Sequence, residues 1–146
     1  MTNFDNNLDF INEVYKNAHV ALQAISNVLD SVEDASFKKE LLYEYKGYEN
    51  LISEISAYMA EKGYETKELG TMKKVMMKTG IKMNTAFNDS VSHIAEIMIK
   101  GTVMGITELT KIINETEGLT DEKALAFAKR LLSIEEEYEE RLKKHL

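Results

Sequence analysis

The sequence predicts an all-α protein, a four-helix bundle, on three observations. Proline is absent and glycine fills only seven positions, so little interrupts a long helix. Apolar residues recur at i, i+3, i+4 and i+7 through four long stretches. The last two stretches echo the first two. A chain of 146 residues also suits one domain, residues 1–146, since a domain takes about 100–200 residues.

The first stretch runs from about Asp5 to Val32 and carries Ile11, Val14, Tyr15, Ala18, Leu22, Ile25 and Leu29 on one face. The second is expected to start near Ser36 as its N-cap. It presents Leu41, Leu42, Tyr45, Tyr48, Ile52, Ile55 and Met59, then stops at Gly63, which suits the left-handed residue after a helix. Tyr64 to Thr71 reads as a crossover loop. The third helix runs to about Asn114, starting either near Met72 with a break at Gly80 or only after that glycine. For the fourth, Thr120 followed by Asp121 and Glu122 offers an N-cap and an acidic first turn. Short links favour antiparallel folding back over an extended coiled coil.

The internal echo has two parts. Residues 20–29 match residues 104–113 at an offset of 84, apolar against apolar and small against small. In the following helix of each half, Leu41, Leu42, Tyr48, Glu49 and Ile52 match Leu131, Leu132, Tyr138, Glu139 and Leu142 at an offset of 90. The expected arrangement is a helix hairpin used twice and joined by a crossover. With that plan, the stretch Met83-Asn84-Thr85 through Ser92-His93-Ile94-Ala95-Glu96, then Gly101-Thr102-Val103-Met104-Gly105, resembles uncharacterised bacterial proteins of the ferritin-like superfamily. The resemblance covers nearly the whole chain, and it implies a fold more than an activity.

Composition narrows the function. With no cysteine there is no disulfide, thiolate zinc site, cysteine-held iron–sulfur cluster or cysteine nucleophile. A formal charge of −7 argues against a nucleic-acid-binding surface. No apolar run approaches a membrane span and the opening residues lack a signal-peptide pattern, so a cytoplasmic protein is expected. No Ser-His-Asp array, phosphate-binding glycine loop or dinucleotide fingerprint is present.

Active ferritin-like proteins hold two metal ions with a Glu from each of two helices and a Glu-x-x-His from each of the others. This chain has no Glu-x-x-His. His93 and Glu96 reverse the order, and helical angles put them opposite the core arc, as a solvated pair. Glu135 is different: it falls within the arc made by Ala128, Leu131, Leu132, Tyr138 and Leu142. Glu139 and its repeat mate Glu49 flank the equivalent arcs, and His19 borders the first helix's stripe. A buried carboxyl must be hydrogen-bonded, protonated or paired with a cation. The alternatives are an iron or manganese site built from Glu49, Glu135, Glu139 and His19, or hydrogen bonds from Tyr45, Tyr48 and Tyr138. His19 is otherwise expected to be bonded to a neighbour.

Three further features carry expectations. Gly101 and Gly105 form a small-residue step, expected to pack closely against Ala18 and Ala21 of the first helix. Residues 72–82 are basic and Met-rich in an acidic chain, which suits a partner groove or a membrane surface. Ile97 and Met104 lie outside the third helix's main arc, which predicts a homo-oligomer, with a dimer the simplest. The sequence thus points first to a non-catalytic scaffold or interaction protein, then to a metal-binding or oxidase-like bundle.

Overall fold

A computed structural model describes residues 6–65 and 90–146. Its four helices are α1 (Asn6–Leu29), α2 (Ala35–Glu61), α3 (Val91–Glu115) and α4 (Glu122–Lys143), and no strand occurs among the described residues. Residues 66–89 lie outside this set, and with them most of the expected crossover, the start of the third stretch and the basic segment 72–82. Helix α1 lies against the other three, while α4 also meets α2 and α3. One core results, and its positions follow from helical spacing. In α2 the buried series is Phe37, Leu41, Glu44, Tyr48, Leu51, Ile55 and Tyr58, alternating steps of four and three. In α4 it is Ala124, Ala128, Leu131, Glu135, Tyr138 and Leu142. Such a 3–4 alternation keeps one seam facing the partner helices.

Two expected helix starts move. The cap of α2 is Asp34 rather than Ser36: its carboxylate accepts the Phe37 amide at 2.8 Å. Phe37 is fully buried, and seating it in the core places the first turn two residues earlier. The cap of α4 is Asp121 rather than Thr120, accepting the Ala124 amide at 2.8 Å. Asp121 wins because its second oxygen is also used: it accepts the Tyr58 hydroxyl at 2.6 Å and the Asn7 amide at 3.1 Å, with Lys62 at 3.4 Å. That knot joins the start of α1, the end of α2 and the start of α4. The end of α2 is as expected. Gly63 takes φ +73°, its amide donates to the Ala60 carbonyl and that of Tyr64 to the Met59 carbonyl; this paired closure needs a left-handed residue.

Leu42 is a correction: listed among the apolar positions of the second helix, it is exposed. It sits one residue off the seam, where Leu41 is fully buried.

Candidate functional site

Helix α3 is the most apolar of the four, yet only Ile94, Ala95, Met98 and Leu109 of it are buried. Thr102 and Gly105 are only half-buried. The reason is a cavity of about 340 Å³ between α1 and α3. Its walls are Val20 and Ala21 on one side and Ile97, Gly101 and Met104 on the other. Small residues on both helices leave the space unfilled. The side chains of Tyr48 and Glu135, 2% and 1% exposed, lie deepest in it, while Glu13, Lys16 and Glu108 ring the mouth. Thr102 also lines it, but its hydroxyl donates to the Met98 carbonyl at 2.8 Å within its own helix.

Gly105 organises the deep end. A Cβ there would stand 3.2–3.4 Å from the Glu135 carboxyl, so the missing side chain leaves room for that group. The Gly105 carbonyl accepts the Asn17 side-chain amide at 3.0 Å. This bond orients Asn17 and leaves its Oδ1 buried without a hydrogen-bond partner. Glu135 Oε1 is likewise buried and unpartnered. Two side chains that line one cavity therefore each carry a buried, unsatisfied oxygen, and both are held beside Gly105. Burial alone pushes the Glu135 carboxyl up to about 8, so it is mostly protonated at neutral pH.

The small-residue step is thus corrected: the side chain that a Cβ on Gly105 would meet is Glu135 of α4, not Ala18 or Ala21 of α1. Gly105→Leu is expected to displace the carboxyl and lower stability by about 1–2 kcal/mol, overpacking outweighing a propensity gain of about 1 kcal/mol. Thermal melts at pH 6 check this, and an unchanged midpoint contradicts it.

The other residues singled out in the sequence do not gather around Glu135. Glu49 is exposed and pairs with Lys46 at 3.2 Å. Glu139 is half-buried, 3.7 Å from Lys143. His19 lies edge-on to Tyr15 with ring centroids 4.5 Å apart. Both of its ring nitrogens are buried without a hydrogen-bond partner, and burial lowers its pKa; the expected bond to a neighbour is replaced by this aromatic contact. Among the described residues, no three His, Asp or Glu side chains are grouped to hold a metal ion. Glu96 is exposed and pairs with Lys100 at 2.9 Å, with His93 a charge neighbour. Tyr45, Tyr48 and Tyr138 make no hydrogen bond to Glu49, Glu135 or Glu139; Tyr48 and Tyr138 instead meet edge to face, with ring centroids 5.3 Å apart.

Sequence reasoning missed a second acidic cluster, at the end of the bundle where α2 starts and α4 ends. Glu40 accepts from Arg141 Nε at 2.9 and 3.2 Å, and the guanidinium lies 4.1 Å from the Tyr43 ring centre. Burial raises the Glu40 pKa, but the hydrogen bonds from Arg141 and Glu44 outweigh it and hold the carboxyl below its usual range. Glu44, one turn on, is pushed up to about 10, first by burial and then by its hydrogen bond to Glu40 and that group's charge. It is a neutral acid donating to a charged one. The signal was available: Glu44 occupies a step of the 3–4 series of α2. Asn17, beside the apolar stripe of α1, gives no comparable signal.

No helix among the described residues is long and apolar enough to cross a membrane. Comparison with known proteins finds no matching family model, curated protein or solved structure. Among the described residues, fold and site define a class by themselves: an all-α four-helix bundle whose groove between two helices ends on a buried, protonated carboxyl.

Proposed function

We propose that the protein is a non-catalytic binding bundle whose α1/α3 groove takes up a small, largely apolar molecule. The observation that carries this is the 340 Å³ cavity with apolar walls and a few convergent polar groups at its base. Ligand pockets are of this kind, about 300–1,000 Å³ and few per protein. The proposed chain plan is ferritin-like, a hairpin used twice. Paired positions support it: Leu41 and Leu131, Tyr48 and Tyr138, and Ile52 and Leu142 are all buried, and Val20 and Met104 face one groove.

The test uses methionine methyls as reporters. Titration with 1-hexanol is expected to shift the methyl resonances of Met98 and Met104, which line the groove, and to leave Met59, buried elsewhere, in place. Ala21→Trp, which fills the groove, should abolish the shifts. Unmoved Met98 and Met104 signals would end the reading.

A second reading has one observation in its favour. Val103 and Met104, 40% and 52% exposed at the groove's lip, make an apolar ridge suited to a homodimer. A single monomeric species in sedimentation, unchanged by Met104→Glu, would remove it.

A further inference from the structure

The base of the groove selects its ligand more narrowly than the walls do. Building on the reading of this groove as a binding site, we propose that it binds a primary amine with a short hydrocarbon tail, the ammonium donating to Glu135 Oε1 and Asn17 Oδ1. Both oxygens are buried acceptors without a partner, they belong to side chains that line the same cavity, and both side chains sit beside Gly105. A ligand bearing only acceptors leaves the Asn17 oxygen unsatisfied, at the full desolvation cost of a buried polar group. An ammonium carries three donors and no acceptor, which matches this surplus. Its tail lies between Val20 and Met104.

Charge points the same way. Among the described residues, the titratable groups facing the cavity are Glu13 and Lys16 from α1, Tyr48 from α2, Glu108 from α3 and Glu135 from α4, two rim acids against one base. The chain carries a formal charge of −7, so its field draws cations and repels carboxylates. Thr102, already bonded to its own helix, does not offer its hydroxyl to a ligand acceptor. On binding, the amine enters as RNH₃⁺ and the Glu135 carboxyl gives its proton to solvent, so a buried ion pair replaces a neutral acid. No bond other than the carboxyl O–H changes.

The experiment follows the same Met98 and Met104 methyls during titration of the full chain with hexylammonium chloride, 1-hexanol and sodium hexanoate at pH 7. Hexylammonium is expected to bind at least about tenfold more tightly than hexanol, a factor worth ~1.4 kcal/mol, and hexanoate to leave the signals in place. Calorimetry in two buffers of different ionisation enthalpy should register release of close to one proton per amine bound. Glu135→Gln, nearly the same shape, should bring hexylammonium to parity with hexanol. Equal affinity for hexanol and hexylammonium, or an amine preference that survives Glu135→Gln, overturns the amine assignment and leaves the groove a binding site. If none of the three ligands moves Met98 or Met104, both readings fall.

Discussion

Glu135→Gln is expected to raise the unfolding free energy by roughly 3–5 kcal/mol at pH 9 and to change it little at pH 5. The folded-state carboxyl titrates near 8 because burial disfavours its charge, against about 4.5 in a solvated chain. The native state therefore holds a proton that the unfolded state has released across that interval. The stabilisation from the neutral form is complete below the unfolded value and is lost as pH rises toward the folded one. Each unit of difference is worth about 1.4 kcal/mol, and an uncharged glutamine has nothing to lose. Glu44, also raised, contributes in the same direction and remains in the variant. The quantity to measure is thus the difference between the two proteins in urea unfolding from pH 5 to pH 9. A difference that does not grow with pH would mean that Glu135 reaches water through the groove.

Arg141→Gln is expected to destabilise the protein by about 2 kcal/mol at pH 7. Removing one partner of a buried ion pair costs about 3–5 kcal/mol. The figure is discounted here because the Arg141 side chain is 37% exposed, while that of Glu40 is only 9% exposed. The sign with pH is opposite to that of Glu135. Glu40 is held below its ordinary value, so its contribution is present above that value and lost as the solution is acidified through the folded one. The effect of the substitution should shrink toward pH 4, where Glu40 takes up a proton. A loss of equal size at pH 4 and pH 7 would instead assign the role of Arg141 to its stacking on Tyr43. A double-mutant cycle with Glu40→Gln separates the two, since stacking survives the loss of the carboxylate.

These two acids differ in how far the sequence exposes them. Glu135 stood out because Leu131, Tyr138 and Leu142 leave it no face but the core. Glu44 occupies the same kind of position, but the apolar series read through Leu41, Leu42, Tyr45 and Tyr48 steps over it. Which of these carboxyls keeps its charge is invisible along the chain. It depends on Arg141, about a hundred residues from Glu40 in sequence, and Glu135 has no such cation beside it.

Periodicity, the absence of proline and Gly63 were enough to determine four amphipathic helices and where α2 ends, because these are local properties of the backbone and of spacing. The caps at Asp34 and Asp121 moved because burial of Phe37 and the knot with Tyr58 and Asn7 are tertiary contacts, and they outweighed local preference. Gly101, Gly105 and Ala21 read equally well as a tight seam or as the walls of an opening. Only the spacing of α1 and α3 in the assembled bundle decided for the opening. Small residues permit close approach without enforcing it, so a cavity between helices is a property of their assembly rather than of either helix alone.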